Sequence, residues 1–165
     1  PMEAVAEAIA TVARQNKDSV ILFPVHPNPA VRKTILPRLE GISNVVLCEP
    51  LDYDQFLSCL KNAYLVLSDS GGVQEEATAL GKPVLVLRET TERQEGVKAG
   101  ALKLVGTDKA LIVKEARRLL ADKAAYRRMC HASNVFGDGL AAERIVSILE
   151  KSLSSRSESH TVLQA

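Results

Sequence analysis

The sequence has no tryptophan, and its aromatic residues make up only 4% of 165 positions. Proteins that stack nucleobases or sugar rings on a flat surface depend on aromatic side chains, so this composition argues against such a platform. The charges almost cancel, because 21 Lys and Arg face 20 Asp and Glu and leave a net charge of +1. With so little net charge and no basic cluster, we expect no nucleic-acid partner.

Cysteines are few and the apolar runs are short. Cys48, Cys59 and Cys130 have neither the spacing of a metal site nor the even number of a disulfide framework. They are typical of small core residues in a reducing compartment, which predicts a cytoplasmic protein. No apolar run approaches the roughly 18 residues that a membrane helix needs, so we expect no membrane association.

Short apolar segments alternate with helical patterns along most of the chain. The predicted strands lie at 20–25, 44–48, 64–67, 84–87 and 102–105. The alternation predicts an α/β domain over residues 1–151, with a Rossmann-like open parallel sheet and helices on both faces. The helical pattern is already under way at Pro1, so we expect a longer parent chain. Residues 152–165 are rich in serine and lack a hydrophobic period, which predicts a disordered tail.

The strongest local motif is Ser68-Asp-Ser-Gly-Gly72, which follows an apolar strand and opens a helix. Free backbone N–H groups at a helix N-terminus attract anions, and two glycines permit close approach. The motif lacks the lysine of a Walker A loop and the third glycine of a dinucleotide fingerprint. Two interpretations stay open on spacing alone: a phosphate site, or a tight turn with Ser70 as N-cap.

Glu75 and Glu76 stand one turn inside this helix. If Val73, Ala77 and Leu80 form the core-facing stripe, Glu76 lies about 60° from the centre of the stripe. Glu75 is then nearly opposite and faces solvent, where it compensates the helix dipole. A carboxylate at the border of the buried face could accept hydrogen bonds from the vicinal hydroxyls of a ribose.

Two further loops leave strand ends. The segment after Leu87 carries Arg88 and Arg93 among glutamates and threonines, and it predicts either a phosphate clamp or a solvated connection with cancelling charges. His26 ends the first strand and is held by two following prolines. A lone histidine is more often structural, but at a strand end it is also a ligand candidate.

Taken together and in order, three motifs resemble those of the non-hydrolysing UDP-N-acetylglucosamine 2-epimerases. They are His26-Pro-Asn-Pro29, Ser68-Asp-Ser-Gly-Gly-Val-Gln-Glu-Glu76 and Leu87-Arg-Glu-Thr-Thr-Glu-Arg93. The resemblance covers Pro1 to about Leu153, which is the C-terminal half of that family's length. It implies one half of a GT-B-type fold, in which two Rossmann-like domains enclose the active site and this half holds the nucleotide.

The resemblance also implies which residues bind the nucleotide. Ser70, Gly71 and Gly72 would bind the diphosphate through hydroxyl and backbone N–H groups. Glu76 would accept hydrogen bonds from the ribose hydroxyls.

The resemblance also implies roles for four further residues, two at the uracil base and two at the phosphates. Phe56 would lie against the uracil, and backbone groups near Leu51 would read its edge. His26 and Arg93 would lie by the phosphates and help UDP leave. Gln94 stands where the family usually has a proline, so the loop that carries Arg93 departs from the family pattern.

In this family, UDP-GlcNAc becomes UDP-ManNAc when UDP is eliminated to give a 2-acetamidoglucal and then added back. The resemblance implies no NAD or metal, and a homodimeric parent enzyme. Most groups that handle the C2 proton lie on the N-terminal domain, so we expect this chain to be inactive alone. Two alternatives stay open: the nucleotide-binding half of a GT-B glycosyltransferase, and a non-catalytic module that binds sugar nucleotides.

Overall fold

The computed structural model describes the backbone of residues 1–131 and 135–161, and the side chains of 1–131 and 135–154. The chain divides into two compact units, Pro1–Val135 and Phe136–Ala165. The candidate site residues all belong to the first unit.

Strands and helices alternate through the first unit. The strands are β1 (Ile21–Pro24), β2 (Val45–Cys48), β3 (Val66–Ser68), β4 (Val84–Val86) and β5 (Leu102–Leu104). The helices are α1 (Met2–Gln15), α2 (Pro29–Leu39), α3 (Tyr53–Asn62), α4 (Gly71–Ala79), α5 (Gln94–Ala99), α6 (Lys109–Ala121) and α7 (Lys123–Cys130). The predicted parallel α/β architecture is confirmed.

All strand pairs in the described residues are parallel, and they form two ladders. β1 pairs with β2, and β4 lies between β3 and β5. A common doubly wound sheet has the strand order 3-2-1-4-5-6. In that order, β2 and β1 correspond to positions 3 and 2, and β3, β4 and β5 correspond to positions 4, 5 and 6. Position 1, between β1 and β3, holds no strand in the part of the chain that the structure describes.

The core lies on both faces of β4. Leu85 packs in one cluster with Val12 of α1 and Ile112 of α6, and its neighbours Val84 and Val86 point to the opposite face. All three β4 residues are fully buried, and α4 lies along β3 and β4. Burial of side chains of this size stabilises the fold by about 1.5–3 kcal/mol each.

Some helix boundaries differ from those that the sequence pattern predicts, which for four of the helices are about 31–39, 73–80, 109–121 and 141–153. α4 begins at Gly71 rather than Val73, because the Ser70 side chain accepts a hydrogen bond from Val73 N–H and so caps the helix. α2 begins at Pro29, since proline suits the first position of a helix. α5 was not predicted at all, because its six residues are too few to show a helical period.

The second unit contains α8 (Ala141–Thr161). The sequence predicted a helix that ends at Leu153 and a disordered tail from Ser152, but the helix continues through this segment to Thr161. No proline or glycine interrupts residues 141–161, so nothing stops the helix. The rest of the predicted tail, 162–165, lies outside the described residues. Among the described helices, none has an apolar stretch long enough to cross a bilayer.

Candidate functional site

The candidate site residues follow the carboxyl ends of β1 to β4. These ends share one edge of each parallel ladder, so the loops that leave them lie at the same end of the sheet. The loop after β3 leads directly into α4, and the loop after β4 carries Arg88 to Arg93. β3 and β4 are paired neighbours, and the pairing places these two loops side by side.

The N-terminus of α4 is built by Ser68, Ser70, Gly71 and Gly72. Ser68 Oγ accepts a hydrogen bond from Ser70 N–H at 3.1 Å, and Ser70 Oγ accepts a long one from Val73 N–H at 3.5 Å. Among the described residues, the N–H groups of Gly71 and Gly72 have no acceptor. We call Ser70, Gly71 and Gly72 the glycine cradle; its free donors are the ones an anion would use.

A carboxylate oxygen already lies against the glycine cradle. A Cβ added at Gly71 would be 2.5 Å from Glu92 Oε1 and 3.6 Å from Arg93 Nη2, whereas one added at Gly72 would meet nothing within 4 Å. The space in front of Gly71 is therefore bordered by a helix N-terminus and a guanidinium, and it holds a negatively charged oxygen. This is the electrostatic environment that a phosphate requires.

Arg93 is the arginine that faces the cradle. Its Nε lies against Glu75 in an ion pair, and its Nη1 is 3.6 Å from Glu92 Oε1. Nε is buried and, within the described residues, has no aligned hydrogen bond. Arg88 is more exposed and pairs with the other oxygen of Glu92 at 3.3 Å. The residue pattern left Arg88 and Arg93 open and the resemblance favoured Arg93; in the structure, Arg93 is the arginine that lies against the cradle.

The predicted buried stripe of α4 is wrong by one residue. Gln74, Ala77 and Thr78 are buried, whereas Val73 and Leu80 are only half-buried. α4 is thus rotated by about 90° from the predicted orientation, because the bonds of Gln74 described below place that polar side chain in the interior.

This rotation changes the surroundings of both glutamates. Glu75 does not simply face solvent, since it pairs with Arg93. Glu76 lies about 150° from the centre of the buried stripe rather than near its border. It is half-buried, and within the described residues its carboxylate has no hydrogen-bond or ion-pair partner.

Gln74 forms a buried bridge between the two loops, which the sequence did not predict. Its Nε2 donates to the Ser70 carbonyl at 3.1 Å, and its Oε1 accepts from Thr91 Oγ1 at 2.7 Å. Thr91 Oγ1 in turn accepts from Arg93 N–H at 3.1 Å. Gln94, at the start of α5, donates to the Thr91 carbonyl at 2.5 Å. A glutamine indicates such a bridge only once it is known to lie on the buried face of its helix, and the sequence pattern predicted a different buried face for α4.

The other predicted site residues have no hydrogen bond or ion pair to the cradle among the described residues. His26 is exposed, and its Nδ1 accepts from Asn28 N–H at 3.1 Å, which assigns the proton of the neutral ring to Nε2. Leu51 and Phe56 are half-buried at the start of α3. Asp52 lies between them and caps α3 by accepting from Gln55 N–H at 2.9 Å.

An ion pair missed by the sequence analysis joins α2 to the loop after β2. Arg32 of α2 hydrogen-bonds to Glu49, and this bond holds the pKa of the Glu49 carboxyl below its usual value. Among the described residues, no group of three or more His, Cys, Asp or Glu side chains is placed to hold a metal ion.

Comparison with known proteins gives a match over nearly the whole chain. The sequence model of the UDP-N-acetylglucosamine 2-epimerase family matches residues 1–150. A UDP-N-acetylglucosamine 2-epimerase from Campylobacter jejuni is 46% identical over 153 residues, which are 93% of this chain and 40% of that protein. The chain therefore spans well under half the length of such a relative.

Solved structures give the same result. S. aureus MnaA in a structure with UDP has a TM-score of 0.88 at 43% identity, over 93% of this chain and 42% of that one. A Neisseria meningitidis UDP-GlcNAc 2-epimerase bound to UDP-GlcNAc has a TM-score of 0.86 at 41% identity, over 91% and 40%.

Proposed function

This chain belongs to the UDP-N-acetylglucosamine 2-epimerase family, and we propose that it is the UDP-binding half of an enzyme that interconverts UDP-GlcNAc and UDP-ManNAc. Its fold is the C-terminal, Rossmann-like half of a GT-B-type architecture. Because the chain covers about 40% of its relatives, the activity is proposed for the longer protein and not for this half alone.

The observation that carries the proposal is the carboxylate oxygen of Glu92 between Gly71 and Arg93. A diphosphate oxygen placed there would accept hydrogen bonds from the free N–H groups of the cradle and pair with the guanidinium. Glu92 has to swing away for this to happen. It can do so, since its side chain is 52% exposed.

The remaining nucleotide contacts, to the ribose and to the uracil, belong to the same proposal. Glu76 is proposed to accept hydrogen bonds from the ribose hydroxyls, because its carboxylate has no other partner among the described residues. Phe56 and the backbone near Leu51, at the start of α3, are proposed to hold the uracil. These two assignments rest on the family pattern.

In the proposed reaction, the bond between C1 and the diphosphate oxygen breaks as the C2 proton is removed. The leaving UDP gains negative charge, which the cradle N–H groups and Arg93 stabilise more strongly in the transition state than in the bound substrate. His26 is proposed to lie by the phosphates, with its Nε2–H as a donor to the leaving oxygen. UDP then adds back after a proton reaches the other face of C2.

Several properties of the longer protein belong to the same proposal. The N-terminal half supplies the groups that handle the C2 proton, and two copies form a homodimer. No NAD or metal takes part, and UDP-GlcNAc and UDP are the ligands. The cytoplasm is the proposed location, because all three cysteines are free thiols. The UDP-binding domain is proposed to comprise residues 1–151.

The test is product analysis with the full-length protein that contains this chain. Incubation of UDP-GlcNAc in D₂O is expected to give UDP-ManNAc that carries one deuterium at C2, while the isolated chain gives no product. Transfer of GlcNAc to an acceptor without C2 inversion would refute the proposal and favour a glycosyltransferase.

A further inference from the structure

Gln74 is a polar side chain in the interior, and both ends of its amide are used. The residue is 0% exposed. Its Nε2 holds the Ser70 carbonyl and its Oε1 holds the Thr91 hydroxyl. A buried glutamine has no hydrophobic advantage over methionine at the same position, so its presence calls for a role that needs both hydrogen bonds.

Each hydrogen bond in this series is donated towards the cradle: Arg93 N–H donates to Thr91, Thr91 to Gln74, and Gln74 to Ser70. The Ser70 carbonyl can only accept, so the amide group of Gln74 must point its nitrogen there and its oxygen towards Thr91. Thr91 must then donate its hydroxyl proton to Gln74, which leaves an oxygen lone pair to accept from Arg93 N–H. Thr91 is itself 6% exposed, and the central bond of this relay, from Thr91 to Gln74, is buried.

From these contacts, we propose that Gln74 is a positioning residue that sets the place of Arg93 relative to the glycine cradle, and thereby the affinity for the diphosphate. The inference rests on the proposed function, in which Arg93 contacts the diphosphate. Gln74 itself is buried behind the cradle and touches no ligand. A substitution of Gln74 should therefore change the affinity only for ligands that carry the diphosphate, and only when Arg93 is present.

The test compares UDP with uridine, titrated by amide NMR against the chain and its Gln74→Met variant. Methionine keeps the volume and removes both hydrogen bonds. The UDP affinity is expected to fall about tenfold, which corresponds to about 1.4 kcal/mol. Uridine lacks the diphosphate, and its affinity is expected to change less than about twofold. Gln15→Met, at an exposed site on α1, is the matched control and leaves both affinities unchanged.

A double-mutant cycle with Arg93→Ala separates positioning from general stability. If Gln74 acts through Arg93, Gln74→Met has little further effect on UDP binding once Arg93 is alanine. An equal loss for UDP and uridine, or an undiminished loss in the Arg93→Ala background, would overturn the inference. If Arg93→Ala alone leaves UDP affinity unchanged, the proposed role of Arg93 fails instead.

Two substitutions of Thr91 provide a check in case Gln74→Met does not fold. Thr91→Val keeps the shape and removes the relay hydroxyl, so it is expected to weaken UDP binding as Gln74→Met does. Thr91→Ser retains the hydroxyl and is expected to restore affinity to within about threefold of the original chain. Equal UDP affinities for the Val and Ser variants would overturn the relay.

Discussion

Gly71→Ala is expected to leave the fold intact while it weakens nucleotide binding. The added methyl would be 2.5 Å from Glu92 Oε1, but this oxygen is the end of an exposed side chain that can move. Alanine also reduces the entropy of the unfolded chain, which typically raises the free energy of unfolding by about 0.4–1 kcal/mol. The variant should therefore be as stable as the original chain or slightly more stable.

The affinity of the Gly71→Ala variant for UDP should fall, although its stability does not. The methyl occupies the space in front of Gly71, where we propose that a diphosphate oxygen replaces the Glu92 carboxylate. Forcing a methyl into a filled contact typically costs about 1–3 kcal/mol, or about 5- to 150-fold in affinity. Gly72→Ala is the matched control, since a Cβ there meets nothing within 4 Å, and its effect should be smaller.

The assay is a UDP titration by calorimetry or NMR beside thermal unfolding of each variant. Stable Gly71→Ala protein with weakened UDP binding, and a smaller loss for Gly72→Ala, is the expected result. If stable Gly71→Ala protein binds UDP as tightly as the original chain, the diphosphate does not lie in front of Gly71, and the reasoning is refuted.

Three further predictions follow from the same geometry. Glu92→Gln should tighten UDP binding about threefold or more in a titration, because it removes a negative charge beside the cradle; weaker binding would contradict this. Thr78→Val should raise the free energy of unfolding by up to about 1 kcal/mol in urea denaturation, since the buried Thr78 hydroxyl has no partner within the described residues; a loss of stability would show that this hydroxyl is hydrogen-bonded. Burial acts to raise the pKa of Glu115, but hydrogen bonds from Lys103 and Arg118 hold it below its usual 4.5. Ionised Glu115 therefore contributes fully to the free energy of unfolding above pH 4.5, and this contribution is lost as the pH falls through the lowered pKa. Glu115→Gln should reduce the dependence of the free energy of unfolding on pH in this acid range, and an unchanged pH profile would contradict the prediction.

The elements that the sequence predicted best have local signals at both ends. α6 has the predicted bounds because Asp108 caps its start and Asp122 caps the helix that follows. α5 ends at Gly100 in the left-handed conformation but has no capping side chain at its start, and its six residues are too few to show a helical period. α8 extends past Leu153 because serine-rich sequence does not by itself end a helix.

For the site, the sequence predicted which loops come together but not how their side chains pair. Order along the chain places the loops after β3 and β4 at one end of the sheet. Periodicity placed Val73 on the buried face because it is apolar, whereas the structure buries Gln74 there, where its Oε1 accepts a hydrogen bond from Thr91 in another loop. The pairing of Glu75 with Arg93 is likewise a contact between distant residues, which local patterns do not encode.

The most direct test of the central claim is a UDP titration of the chain beside Ser70→Ala and Glu76→Ala. Asp108→Ala serves as the control, since it removes the N-cap of α6 instead of the cap of α4. We expect saturable binding in the range of roughly 0.1–1 mM, weaker in both site variants and unchanged in the control. Absence of binding at several millimolar, or equal binding by all four proteins, would contradict a UDP site at the glycine cradle.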